Sequence, residues 1–358
     1  MTSKKKKRRI YGLDGLKTLA LLGVLLYHTF PSFLPGGFLG VVLFLVISGY
    51  LSAYGSLEKM ENGTFSYLKY YLKRIVRLYP SLLIMLLASI GVLTLLDPIR
   101  LANTQSEFCS IVFGYNNFWQ IKMNADYFAQ LSKNSPFTHL WYIAILLQFD
   151  LVFPFLLKGY VVLKNKAGMW KALGIGACIV LISALIMPAS YLIGQGNNLT
   201  ALYYNSFTRV SPLLAGVWLG LLHKEKIHIL NRELKRPICS LGEMIIWMGI
   251  FIGLYFHTTG TDQNVYLYWM NVCTLISMRM IEAVVTGRTT GRLLDNPVCK
   301  WIGKYNYEIY LWQYPVLLIA GIVGASGRWY FYILQIIVIL LVSIWSGTVS
   351  AWLTSHVR

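Results

Sequence analysis

The stretch Asp14-Gly15-Leu16-Lys17-Thr18-Leu19-Ala20-Leu21-Leu22-Gly23-Val24-Leu25-Leu26-Tyr27-His28 sets two ionisable side chains, Lys17 and His28, at either end of a mostly apolar run. On an α-helix the eleven residues from Lys17 to His28 advance about 16.5 Å and turn about 1100°, roughly 20° from a whole number of turns. Lys17 and His28 therefore share one face, about three turns apart. Ionisable groups inside a membrane helix are costly, so each is a candidate for function. Asp14, just ahead of the run, is placed to cap the helix N-terminus.

The remainder of the chain repeats this apolar character. Its 358 residues are 56% hydrophobic and only 13% charged, against about a quarter charged in a soluble domain. Separated apolar runs of near-spanning length predict an all-α polytopic membrane protein, one bundle of about ten transmembrane helices. The spans fall near 12–31, 37–55, 76–96, 138–157, 171–190, 204–222, 240–257, 265–285, 301–323 and 329–353. Net charge is +18, and the Lys and Arg residues gather in alternate loops. That pattern predicts a positive-inside topology with a cytosolic N-terminus, basic over residues 1–11, and contact with anionic lipid rather than nucleic acid. The five cysteines are scattered without CxxC or other metal spacing, so neither a zinc site nor a disulfide framework is expected.

Between the spans, residues 65–79 read as a basic amphipathic helix on the inner surface, feeding the third span. Residues 97–137 form the longest outer loop, with Asn116-Asn117 and Phe118-Trp119. It either contacts a sugar or caps the helix ends.

Further polar residues stand where chemistry could use them. Arg74 and Arg77 are three apart on one helical face at the depth of Lys17, and arginine forks suit phosphate. A cation near the cytosol and an imidazole about 16 Å deeper suit a long ligand with phosphates at one end and a reactive carbonyl at the other. Acyl-coenzyme A has that shape. Ser48 sits in Ser48-Gly49-Tyr50, with no nucleophile elbow around it. His139 opens the fourth span. Arg209 lies near the outer end of the sixth, either reaching outward or holding an oxyanion. Arg279 and Glu282 stand as a structural pair. The run from Ile302 to Pro315 puts Tyr307, Glu308, Tyr310, Trp312 and Gln313 on one helix.

Taken in order, these pieces resemble the acyltransferase-3 family of integral membrane proteins. They are Lys17-X10-His28, Gly40 to Tyr50, Arg74-x-x-Arg77-Leu78-Tyr79-Pro80, His139-Leu140-Trp141-Tyr142, the segment around Arg209, and Tyr307 to Pro315. The lysine-rich face and the Tyr-Leu-Trp-Gln ending are most similar to the membrane half of Gram-positive peptidoglycan O-acetyltransferases. The resemblance implies one transmembrane acyltransferase domain over 1–358 in a bacterial plasma membrane. It implies acetyl-CoA as donor from the cytosol, no metal, and a cell-envelope glycan as acceptor outside. His28 is then the essential histidine, and Lys17, Arg74 and Arg77 hold the donor. Ser48, His139, Arg209, Tyr307, Tyr310 and Gln313 are the remaining catalytic candidates. The match departs in two places. Lysine stands at 17 where arginine is commoner, and Leu146 and Leu147 stand where relatives carry acids, with Gln148 and Asp150 following. Bifunctional relatives add a span and an SGNH esterase-like domain, so this chain is expected either to act alone or to pass the acyl group to such a domain. A transporter or flippase of a lipid-linked sugar, and a membrane scaffold for cell-wall assembly, are the alternatives.

Overall fold

The computed structural model describes residues 10–125, 128, 135–194, 198–228 and 237–355. The basic segment 1–9 lies outside the described residues, as do parts of the 97–137 loop and Arg232, Lys235 and Arg236. The described chain is all helical. Its α-helices are α1 (Leu13–Thr29), α2 (Gly40–Glu61), α3 (Tyr67–Leu96), α4 (Thr104–Val112), α5 (Asn116–Lys122), α6 (Trp141–Ala167) and α7 (Met169–Leu192). There follow α8 (Leu199–Tyr204), α9 (Val210–Lys224), α10 (Pro237–His257), α11 (Met270–Thr286), α12 (Arg288–Leu293), α13 (Pro297–Ile322) and α14 (Trp329–Leu353).

Every predicted span contains a helix, though 204–222 is broken between α8 and α9, and length and apolarity separate them. Among the described residues six helical stretches are long and apolar enough to cross a membrane: Gly37–Glu61, Tyr67–Leu96, Thr138–Ala167, Met169–Leu192, Ile238–His257 and Trp329–Leu353. The helices α1 and α11 have 17 residues each and α9 has 15, short of the roughly 20 that span a bilayer core. A π-helical turn, Val265–Trp269, leads into α11. The longer α13 has 26 residues, but its first half carries Lys300, Lys304 and Glu308.

The centre of the bundle is α2, 83% buried along its apolar window, whereas α7 is 22% buried and α10 and α14 are each 28% buried. Large apolar side chains such as Leu181, Leu185, Ile333 and Leu341 remain exposed on these outer helices, as a lipid-facing surface requires. The closest pairing is between α2 and α9. A Cβ on Gly49 would overlap the Leu213 carbonyl, and one on Gly216 would overlap the Val46 carbonyl. Small residues let the two backbones touch, which is how helices associate where burial from water supplies no force.

One local expectation needs correction. The N-cap of α1 is Gly12, left-handed at φ 86°, and Asp14 lies inside the first turn. There its carboxylate meets the positive end of the helix dipole and takes Lys17 Nζ at 3.2 Å. Residues 65–79 feed the third span directly, as the start of one continuous helix. Ser66 caps α3 by accepting from the Lys69 amide at 3.3 Å, and the helix then runs unbroken for 30 residues through Pro80. At about 1.5 Å per residue that exceeds the bilayer core, so its basic first turns project beyond it.

The described part of the 97–137 loop is a built cap. Within it α4 and α5 carry Glu107, Asn116, Asn117 and Gln120, all buried. Asn117 Nδ2 donates to the Tyr204 carbonyl at 3.0 Å and to Ser206 Oγ at 2.8 Å, while its oxygen accepts from Gln148 at 2.8 Å. Glu107 accepts from Ser135 at 2.6 Å and from Gln120 at 3.3 Å. These asparagines hold helix ends together and do not face an open sugar site. Burial pushes the Glu107 carboxyl up to about 7.

Candidate active site

Helix α1 sets Lys17 and His28 on one face, and the neighbours of that face differ sharply at its two ends. At the Lys17 end, here termed the basic end, a cavity of about 780 Å³ opens between α1, α2, α3, α6, α13 and α14. Six cations line it (Lys17, Lys69, Lys73, Arg74, Arg77 and Lys304) against two carboxylates, Asp150 and Glu308. That surplus favours a polyanion.

The cations are not equivalent. Arg74 is fastened to the wall: its guanidinium meets Asp150 at 3.0 Å, Ser52 Oγ at 2.7 Å and the Tyr70 hydroxyl at 3.3 Å. Tyr70 donates in turn to Asp150 at 3.0 Å. Arg77, Lys69, Lys73 and Lys304 border the cavity with exposed side chains. Asp150, which sequence comparison left without a role, is thus the counter-ion that positions Arg74.

At the other end, His28 meets residues from two other segments. Its ring packs edge-on against Tyr314 with centroids 5.1 Å apart, and Tyr314 stacks on His139 at 5.1 Å with 16° between the planes. Gln313 lies beside His28. A short 3-10 turn, Thr138–Leu140, delivers His139, while α13 delivers Gln313 and Tyr314. Positions 307, 310 and 314 recur every three or four residues, so they form one face of α13.

The state of His139 follows from its partner. Its Nε2 lies 3.0 Å from the Leu311 carbonyl. A carbonyl only accepts, so Nε2 carries the proton and Nδ1 presents a lone pair. That Nδ1 is buried without a hydrogen-bond partner, and neither amide atom of Gln313 has one in good geometry. Such atoms cost about 1–3 kcal/mol each when left unmet, and a catalytic role is one physical reason to keep them.

Between the two ends lies a layer of rings. Phe44, Tyr142 and Tyr310 line the inner limit of the cavity, with centroids 5.3 to 6.5 Å apart. His28, His139 and Gln313 are not among the lining residues. The two halves of the expected site are therefore neighbours separated by aromatic side chains.

The other candidates have local duties. Tyr310 donates to the His139 carbonyl at 2.6 Å and Tyr307 to the Leu78 carbonyl at 2.9 Å, so each hydroxyl proton is committed to a backbone oxygen. Ser48 pairs with the Tyr142 hydroxyl. Arg209 is 1% exposed, which rules out the outward reach open to it on sequence. It donates to the Tyr203 carbonyl at 2.8 Å and to Met270 Sδ at 3.1 Å, and lies 4.0 Å above the Tyr203 ring and 5.3 Å from that of Trp141. None of those partners borders the cavity. The sequence reading missed Tyr314 and the Phe44–Tyr142 layer, because aromatic residues in an apolar helix carry no mark that separates a site from packing.

A family model described as an acyltransferase domain matches residues 10–352. The chain belongs to the acyltransferase-3 family. The acyltransferase is 30% identical over 88% of its length to a presumptive O-acetyltransferase of Staphylococcus aureus strain COL. It is 30% identical over 92% of its length to a presumptive peptidoglycan O-acetyltransferase, YrhL, of Bacillus subtilis. It is 28% identical over 94% to the O-acetyltransferase OatA of Staphylococcus aureus. The chain spans about half the length of these relatives, 52% of the first two and 55% of the third. No solved structure matches it. The apolar helices and the family together make it a membrane acyltransferase.

Proposed function

We propose that this acyltransferase moves an acetyl group from acetyl-CoA, bound at the basic end, to a hydroxyl of a cell-envelope glycan such as peptidoglycan at the opposite end. One observation carries the reading: the cavity that gathers Lys17, Arg74, Arg77 and three further lysines is lined by Tyr310, whose ring lies 5.5 Å from that of His139 in the His28–Tyr314–His139 cluster. In this reading all ten helical segments cross a bacterial plasma membrane, the basic end faces the cytosol, and the N-terminus lies there too. The coenzyme A phosphates meet Lys17, Arg77, Lys69, Lys73 and Lys304, with Arg74 held in register by Asp150.

The thioester passes the ring layer to reach His28. The acceptor hydroxyl oxygen attacks the thioester carbon and gives its proton to His28. The carbon–sulfur bond breaks, and the proton passes to the departing thiolate. Gln313 donates to the oxygen on which negative charge develops. The acceptor is met directly or through an SGNH-type domain, as the family resemblance implies.

The test uses the purified protein in sealed vesicles, with acetyl-CoA labelled in the acetyl carbon outside and soluble peptidoglycan fragments inside, scored for both orientations. Label on the fragments is the expected result. Fragments that cross the membrane unmodified, or no label on glycan or protein, overturn the proposal in favour of a transporter or a scaffold. Lys17→Ala is expected to raise the KM for acetyl-CoA while leaving the rate at saturation near wild type. A lower saturated rate places Lys17 in the chemical step instead.

A further inference from the structure

On the far side of α2 from the cavity, three metal-binding side chains converge that acyl transfer does not use. His223 ends α9, His228 follows in the turn after it, and Glu282 lies near the end of α11. One ligand atom from each falls within 4.8 Å of the others. His223 and Glu282 are buried. His228 is exposed, which leaves a coordination position open to water.

Each ligand is oriented from behind. His223 Nδ1 lies 3.2 Å from the Tyr50 hydroxyl, which leaves Nε2 as the inward atom. That atom is buried, has no hydrogen-bond partner and stands 4.0 Å from Glu282 Oε1. The other carboxylate oxygen of Glu282 meets Arg279 at 3.5 Å, and Arg279 is balanced by Glu243 at 2.5 Å. His228 Nδ1 lies 3.5 Å from Thr286 Oγ1, so its Nε2 is turned away from that contact. An outer partner on the second nitrogen of a ligating imidazole is the usual support of a metal site.

We propose that His223, His228 and Glu282 bind a zinc ion at the basic end of the bundle and tie α9 to α11. Two imidazoles and a carboxylate with one open position are a zinc donor set. Ligand atoms about 2.1 Å from a tetrahedral ion stand about 3.4 Å apart, so the 4.0 Å gap closes with a small turn of the Glu282 side chain. The arrangement goes against the spacing argument drawn from the cysteines. Its third ligand comes from a helix later in the chain, which spacing along the sequence does not reveal.

The experiment uses the full chain, purified without a histidine tag, stripped with a chelator and dialysed against low-micromolar zinc chloride. Metal analysis is expected to give one zinc per chain in the wild type and none in His228→Ala, whose exposed position spares the core. Zinc should raise the thermal midpoint of the wild type and leave that of His228→Ala unmoved. Tyr50→Phe should weaken zinc binding by about 10–100-fold. A wild type that retains no zinc overturns the proposal. So does a His228→Ala variant that retains the wild-type amount, or one whose midpoint zinc raises equally.

Discussion

Two buried polar regions of this protein look alike in composition and differ in how they are satisfied. In the cap, Glu107, Asn116, Asn117 and Gln120 each hold at least one hydrogen bond to a neighbour. In the cluster around His28, Gln313 holds none in good geometry, and His139 uses only one of its two nitrogens. A buried polar group that is met stabilises a fold, whereas one left unmet lowers stability and is retained for something the fold does not contain. Asn116 Oδ1 and Gln120 Oε1 in the cap are unmet as well, so the distinction rests on Gln313, whose amide is unmet at both of its polar atoms.

The largest expected effect tests the cluster at its centre. His28→Ala removes the proposed base, and general-base catalysis supplies about 10²–10⁴-fold. Acetyl transfer from labelled acetyl-CoA should fall by that range, while the thermal midpoint in detergent stays near wild type. Full activity in His28→Ala would remove the histidine from the reaction.

Gln313→Leu comes next and probes the unmet amide. Loss of one donor to a developing oxyanion costs about 10²–10³ in rate, and losing an amide with no hydrogen bond in good geometry should leave stability level or slightly higher. A Gln313→Leu protein that is markedly less stable yet fully active would place Gln313 with the cap residues.

Asn117→Leu should reverse that pattern. It strips partners from the Tyr204 carbonyl, Ser206 and Gln148 and should lower stability by about 1–3 kcal/mol. The rate per folded molecule should not change. A selective loss of transfer to glycan would instead assign the cap to acceptor binding.

The last effect is a pH dependence of stability and concerns Glu107. Its carboxyl is raised to about 7 by burial from an ordinary 4.5, so between those values the folded protein holds a proton that the unfolded chain releases. The stabilisation is complete below the lower value and is lost as pH rises through the upper one. The thermal midpoint of the wild type should therefore decline between pH 5 and 8, referred to that range, and Glu107→Gln should flatten the decline. A wild-type midpoint that rises across the range would contradict a buried neutral carboxyl.

Much of the fold was legible because membrane helices are written in long apolar runs, and the Lys17–His28 register follows from helical geometry alone. Convergence was not legible. Periodicity says which residues share a face of α13, not that the face bearing Tyr310 and Tyr314 meets His139. Arg209 shows the limit most plainly. Its sequence setting suits an anion, yet its guanidinium lies on the Tyr203 ring, a placement that depends on α8 folding back over it. Asp150 is the converse, an acid that motif comparison set aside and that proves to be the partner of Arg74.

The ring layer of Phe44, Tyr142 and Tyr310 has an electrical consequence. If the basic-end cavity fills with water, the potential of its compartment reaches inward and a membrane voltage would fall largely across the rings and the groups beyond them. Moving one elementary charge through 100 mV takes about 2.3 kcal/mol. Coenzyme A, with its several phosphate charges, would do heavy electrical work in crossing that layer. An acetyl group, which is neutral, does none. Under the proposed function, a barrier of three aromatic rings would hold the charged carrier on one side and let its uncharged cargo through.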